Sequence, residues 1–270
     1  ITMTHFSRGS HAVGRRIAML ALVAGSMGLA SLARADTLDD VMRTQTLRVA
    51  ITLDYPPFGS VDTDLTPRGY DVDFARLVAQ ELGVKLELVR VVHASKIPTM
   101  VTRKADLLLN LGQNEERAKV VDFSQPYAPY YVGVYGPADV AVKSAADLEG
   151  HLIGVTRGTI EDQLLTRLAP PTARLQRYED HAATIGAFIS GQAQLISVGN
   201  VVAAELATRQ LPRAPQEKFL LMNSPVRTAV TKGESRLLER VNAAITSIKQ
   251  RGQLNELAKQ WLKQPLPADF

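Results

Sequence analysis

Cysteine is absent from all 270 residues. That excludes disulfides, thiol nucleophiles and cysteine-held metals. Tryptophan occurs once, as Trp261, and histidine five times, of which His5 and His11 fall in the first few turns of chain. The remaining three, His93, His151 and His181, show no spacing that would assemble a metal site. No Gly-x-Ser-x-Gly, Gly-x-Gly-x-x-Gly, phosphate-loop or His-Glu-x-x-His pattern occurs either, so the common nucleophile, nucleotide and zinc-hydrolase signatures are missing. Neither a cofactor nor a metal is expected. Internal repeats, low-complexity tracts and long linkers are also lacking.

The one long apolar run lies at the beginning. Arg8, Arg15 and Arg16 precede an apolar stretch over 17–30, and Ala33-Arg34-Ala35 follows it. A basic start, a run too short to span a bilayer and an A-x-A site predict a secretory signal peptide over 1–35, cleaved after Ala35. Arg15-Arg16 raise twin-arginine export, but their flanks match poorly and general secretion is favoured. Removing this segment changes the meaning of the net charge of +4. It holds four of the 31 basic residues and no acid, so residues 36–270 carry 27 of each sign. Nothing in that balance calls for nucleic acid or an anionic membrane as partner. With no lipid-bearing cysteine and no second apolar run of spanning length, the expected product is a freely diffusing periplasmic monomer.

Periodicity over the rest favours α/β structure in two lobes. Strands are expected at 46–52, 84–91 and 105–111, with helices at 72–82, closed by Gly83, and at 97–102 after Ser95. The scheme repeats with strands at 152–156, 174–178 and 195–198 and helices at 160–168, 181–190 and 201–209. Segments 130–136 and 219–228 are candidates for the two crossings between lobes, and helices at 234–249 and 254–262 would return to the first. The expected division is 36–130 plus 222–270 for lobe 1 and 131–221 for lobe 2. Ligands collect at the carboxyl ends of strands in open α/β sheets, so two such lobes would face one another across a cleft. Trp261 with Leu254, Leu257, Ala258 and Leu262 forms a helical core stripe.

The most informative segment is Glu115-Glu116-Arg117-Ala118-Lys119-Val120-Val121-Asp122-Phe123-Ser124. A guanidinium at a loop–helix junction can grip a carboxylate through two parallel hydrogen bonds; the plainer reading is a surface arginine paired with Glu115 or Asp122. Its company matters. Upstream stand Tyr55-Pro56-Pro57-Phe58, Gly69-Tyr70-Asp71-Val72-Asp73-Phe74-Ala75 and Ala105-Asp106-Leu107. In that order these segments resemble the polar amino acid-binding proteins of ABC importers, the family of periplasmic glutamine-, histidine- and lysine/arginine/ornithine-binding proteins. The similarity runs to 252–262.

The resemblance implies a two-lobe periplasmic binding protein fold of type II, with two Rossmann-like lobes joined by a two-segment hinge around the ligand cleft. It implies closure on an amino acid or related small carboxylate, and delivery to a membrane permease. By position Arg117 matches the arginine that binds the α-carboxylate, and Gly158-Thr159, after Thr156, match a turn whose N–H groups meet the same carboxylate. For Thr159 the alternative is helix capping alone. Tyr55 and Phe58 match aromatics that cover the ligand, or else pack a proline turn. His93, Asn110, Leu111 and Gly112 complete the expected set in the first lobe. Lys96 is either in the cleft or a snorkelling surface lysine.

Two departures qualify the resemblance. Relatives hold the α-ammonium with an acid at a strand end in the second lobe, where this chain has Gly199-Asn200; basic-amino-acid binders carry Asp where Thr52 stands. A buried ammonium needs an anionic partner. Asn200 by position, then Glu161, Asp54 or Asp180, could supply acceptors. The expected cleft leans positive and disfavours lysine, arginine or ornithine. Two alternatives remain: an enzyme on the same fold, similar to cyclohexadienyl dehydratases, and a ligand-sensing adaptor for a membrane receptor.

Overall fold

The structure, a computed structural model, describes residues 36–270; the export signal expected over 1–35 and its cleavage point lie outside the described residues. The described chain opens with helix α1 (Thr37–Thr44), whose first turn is capped by the Asp36 carboxylate accepting the Leu38 N–H. Strand β1 (Thr46–Ile51), the two-residue pair β2 (Ser60–Val61) and β3 (Pro67–Arg68), and helix α2 (Tyr70–Leu82) follow. Next come β4 (Lys85–Arg90), α3 (Lys96–Val101), β5 (Leu107–Leu111), the single-turn α4 (Glu115–Ala118) and β6 (Val121–Ala128).

Helix α2 shows why the sequence folds this way. Val72, Phe74, Val78 and Leu82 are buried along it, each such side chain contributing roughly 1.5–3 kcal/mol. Gly83 ends it in the left-handed region at φ 71°, donating its N–H back to Ala79 and Gln80 carbonyls. Phe74 stacks on Tyr127 of β6 at 4.0 Å between ring centroids.

The second half contains β7 (Tyr131–Gly136), β8 (Leu152–Thr156), α5 (Ile160–Leu168), β9 (Arg174–Tyr178), α6 (His181–Ile189), β10 (Leu195–Gly199), α7 (Asn200–Ala207) and β11 (Gln216–Asn223). The chain then returns through β12 (Val226–Thr231), α8 (Ser235–Gln250) and α9 (Gln253–Leu257), which runs into one wide turn over Ala258–Leu262. Two five-stranded sheets result, ordered β4-β1-β5-β12-β6 and β11-β7-β10-β8-β9. In each, a parallel trio (β4, β1, β5 and β10, β8, β9) is extended by antiparallel strands.

This arrangement narrows the segments expected as crossings. Most of 130–136 and 219–228 is strand, because β7 and β11 pair with each other in the second sheet. The actual passages are Pro129-Tyr130 and Ser224-Pro225. They are tied together by the Ser224 N–H, which donates to the Tyr130 carbonyl at 2.9 Å. At the far end, Leu254, Leu257, Ala258 and Leu262 join the core as expected. Trp261 is only half-buried: its indole N–H donates to Asp73 of α2 at 2.8 Å, and the Arg68 guanidinium lies 5.5 Å from its ring.

Candidate functional site

A cavity lies between the two sheets, walled by Tyr55, His93, Lys96, Asn110, Gly112 and Arg117 on one side and by Thr159, Ile160, Glu161 and His181 on the other. Tyr130 and Ser224, from the passages between the sheets, and Val226, the first residue of β12, also line it.

Arg117 sits on α4, a turn fixed by Asn114, whose side-chain oxygen accepts the Arg117 N–H at 2.9 Å. Its side chain is buried, at 6% exposure, and donates from Nη1 to the Gly112 carbonyl (2.5 Å) and from Nη2 to the Gly158 carbonyl across the cleft (2.9 Å). Among the described residues no carboxylate forms an ion pair with it, and Asp122 is taken by Lys232. The surface-pair reading is therefore excluded. Burial lowers its pKa to about 10, which leaves it cationic at neutral pH. A buried cation with spare donors in a cavity wall is a site for an anion.

Thr159 caps α5, its hydroxyl accepting the Asp162 N–H and donating to the Thr156 carbonyl. The Gly158 N–H is already given to Asp162 Oδ2 at 3.0 Å, and Gly158 offers the cleft its carbonyl, the acceptor for Arg117. The expected grip of this turn on a carboxylate through the Gly158 N–H is thus not what the structure presents. The open helix start instead shows Ile160 and Glu161.

Tyr55 lines the cavity, stacked on His181 at 3.9 Å; its hydroxyl shares a 2.7 Å hydrogen bond with Tyr130 and accepts the Gly199 N–H. His93 meets His181 edge-on at 5.5 Å. Burial pushes both imidazoles well below their ordinary pKa, and the Lys96 charge adds to that, so both are neutral. Lys96 is in the cleft wall at 2% exposure, donating to the Leu109 and Asn110 carbonyls. Asn110, held at φ 54°, donates its side-chain N–H to Asp71, which also accepts the Tyr127 hydroxyl.

Five expected contacts lie elsewhere. Phe58 is fully buried against Tyr70 and Tyr130 as packing for the proline turn. Leu111 belongs to a core cluster, and Thr52 is buried with its carbonyl close to Gly59. Thr156 spends its hydroxyl on His181 and Thr184. Asn200, the first-ranked substitute for the missing acid, accepts the Tyr131 N–H at 3.2 Å and does not reach the cavity. Sequence reasoning in turn gave no place in the cleft to Tyr130, Ile160, Ser224 or Val226.

Two glycines explain the first and third of these. A Cβ at Gly199 would stand 2.0 Å from the Tyr130 ring, so Tyr130 occupies the space that an acid at 199 would need. A Cβ at Gly112 would lie 3.2 Å from the Ser224 hydroxyl, so the glycine leaves room for Ser224 in that part of the wall.

Asp54 joins the two sides. It follows β1, yet its carboxylate accepts the His181 and Ala182 N–H groups at the start of α6, at 2.8 and 3.3 Å. Hydrogen bonds to a charged acceptor contribute about 1.5–3 kcal/mol each at most. Asp54→Ala should speed ligand dissociation on the order of tenfold in stopped-flow measurements, with the melting temperature of ligand-free protein little changed. An unchanged dissociation rate would mean the bridge does not hold the cleft shut.

Lys96 carries a pH signature. Burial lowers its pKa from 10.5 to about 8, so the folded state sheds this proton before the unfolded state does. The cost of burying the ammonium is therefore full below pH 8 and is relieved as pH rises towards 10.5. The stability gap between Lys96→Met and wild type, followed by thermal melts, should narrow across that window; a constant gap would place the ammonium in water.

A family model described as "Bacterial extracellular solute-binding proteins, family 3" matches residues 47–264. The chain belongs to this family. Its relatives include the L-cystine-binding protein TcyJ of Escherichia coli K12, 30% identical over 247 residues that cover 90% of this chain and 91% of that one. Among solved structures, the binding protein is similar to an ancestral amino acid-binding protein called a precursor of cyclohexadienyl dehydratase, with 31% identity, a TM-score of 0.76 and coverage of 84% and 100%. A Thermotoga maritima ArgBP mutant gives a TM-score of 0.77 at 26% identity, with coverage of 84% and 100%. The fold is thus the type II binding-protein architecture. Among the described residues no helix is long and apolar enough to cross a membrane, and no cluster of three or more His, Asp or Glu could hold a metal.

Proposed function

We propose that this family member binds an α-amino acid, or a closely related small carboxylate, between its two sheets and delivers it to the permease of an ABC importer. The observation that carries this reading is Arg117: buried, cationic, unpaired by any described carboxylate, and in the wall of the cavity. Its fork suits a ligand carboxylate. The neutral pair His93 and His181, with Tyr55, supplies aromatic surface for the ligand's body. Two cations, Lys96 and Arg117, face one carboxylate, Glu161, which weighs against lysine, arginine and ornithine. Residues 1–35 act in this reading as a cleaved export signal, and the mature protein works as a monomer in the periplasm. Residues 36–130 with 222–270, and 131–221, are its two closing lobes. The membership of a solute-binding family favours transport over the dehydratase alternative.

The test is a thermal-shift screen of residues 36–270, stripped of carried-over ligand by unfolding and refolding. The panel comprises the twenty L-amino acids, L-cystine and their 2-hydroxy acid counterparts. A ligand that binds only the native state raises the melting temperature, by an amount that grows with concentration over Kd. No shift with any member would overturn the reading.

A further inference from the structure

Glu161 is the one carboxylate among the described residues that line the cavity. It is 5% exposed, at the second position of α5, and forms no ion pair. Burial raises its pKa, while its own N–H, the Thr159 hydroxyl, Arg117 and the Tyr130 hydroxyl favour the charged form. An acid in this position costs free energy unless something compensates it. Nothing in the packing calls for it, since the helix is already capped by Thr159 and the adjacent Asp162 already serves Gly158 and Arg177.

Tyr130 points the same way. Its hydroxyl lines the cavity beside Glu161, anchored by the Tyr55 hydroxyl, and Gly199 leaves it the room to be there. The two residues present a carboxylate and a phenol oxygen together, and the guanidinium of Arg117 stands in the same cavity without pairing to that carboxylate. An α-amino acid carries an anion and a cation a few bonds apart, and these groups match both.

We propose that Glu161, assisted by the Tyr130 hydroxyl, is the ammonium subsite of the cleft, and that the ligand is therefore a zwitterionic α-amino acid and not its amine-free analogue. This rests on the reading of the cleft as an amino acid site. Glu161 is a specificity residue: it decides between an amino acid and the matching hydroxy acid, while Arg117 serves both.

The decisive experiment is calorimetric titration of wild type, Glu161→Gln and Tyr130→Phe with the same L-amino acids, L-cystine and 2-hydroxy acids. Removing one member of a buried charge pair is worth on the order of 100-fold in affinity. Wild type should prefer an amino acid to its hydroxy acid by about that factor. Glu161→Gln should lose the amino acid by a similar factor while keeping or improving the hydroxy acid, and Tyr130→Phe should lose the amino acid by roughly five- to tenfold. Melting curves of the ligand-free variants establish that they fold, and neither substitution changes side-chain volume appreciably. If Glu161→Gln binds the amino acid as wild type does, or loses amino acid and hydroxy acid equally, the inference is overturned while the amino acid reading stands. If no amino acid binds wild type, that reading falls and the inference with it.

Discussion

Arg117→Ala is expected to weaken amino acid binding by two to three orders of magnitude while leaving the fold intact. The magnitude follows from the burial of the guanidinium. Truncating one partner of a buried, hydrogen-bonded charge pair costs about 2–5 kcal/mol, most of it the penalty of leaving the other charge dry and unpaired. Without Arg117 the ligand carboxylate would face Lys96, whose Nζ is already committed to two backbone carbonyls. The fold should survive because the side-chain hydrogen bonds of Arg117 are made only to backbone carbonyls lining the cleft. Its hydrogen bonds go to the Gly112 and Gly158 carbonyls at the cleft edge, and water can replace them. Arg117→Lys should fall between, keeping the charge and losing the fork. Titration calorimetry measures both variants. Wild-type affinity in Arg117→Ala would refute the carboxylate role outright.

Gly199→Ala should be a strongly disruptive small change. The added methyl would sit 2.0–2.1 Å from three atoms of the Tyr130 phenol, well inside contact distance. Gly199 itself has ordinary extended geometry, φ −75°, so the demand for glycine comes from Tyr130 and not from the backbone. The ring cannot yield outwards without breaking its hydrogen bond to Tyr55 and its edge contact with Phe58. Overpacking of this kind costs about 1–3 kcal/mol, and a chain of this size loses about 2–4 °C in melting temperature per kcal/mol. A fall of roughly 2–12 °C is therefore expected, with ligand affinity lowered as well. In a Tyr130→Ala background the same substitution should cost little, because the obstacle is gone. A single variant that melts like wild type would show that Tyr130 is not lodged against β10.

Much of the second sheet was legible because its punctuation is strong. Gly158-Thr159 separates β8 from α5 with a turn residue and a cap, and Asp180 does the same for α6, so the bounds of β8, α5 and β9 fall where the pattern places them. Helix α1 went unread although Asp36 caps it and Leu38 and Val41 stand three apart on its buried face, because eight residues make too short a run; the β2/β3 pair carries no readable period. The crossing segments were located but drawn too long. Alternation identifies a strand but not the sheet that it joins, and β7 and β11 satisfy each other.

The cleft shows the same division. Arg117, Tyr55, His93, Asn110, Gly112 and Thr159 line the cavity, each standing beside a turn or strand end that the order of segments locates. Phe58 and Leu111 are packed into the core, Thr52 is buried beside Gly59 and Thr156 spends its hydroxyl on His181 and Thr184; the order of segments locates these residues without saying which of them face the cavity. Tyr130 and Ser224 were illegible because they enter the cavity from the passages between sheets, filling space that glycines at 199 and 112 leave open. A glycine in a sequence does not say what stands beside it.

The pairing of Gly199 with Tyr130 also constrains the routes by which this cleft can change over generations. An acid placed at 199 alone meets the phenol ring, and a small residue at 130 alone leaves a hole beside the ligand and the Tyr55 hydroxyl with only the Gly199 N–H as partner. Each single step is therefore harmful and only the joint change is tolerated, with Glu161 free to be lost only afterwards.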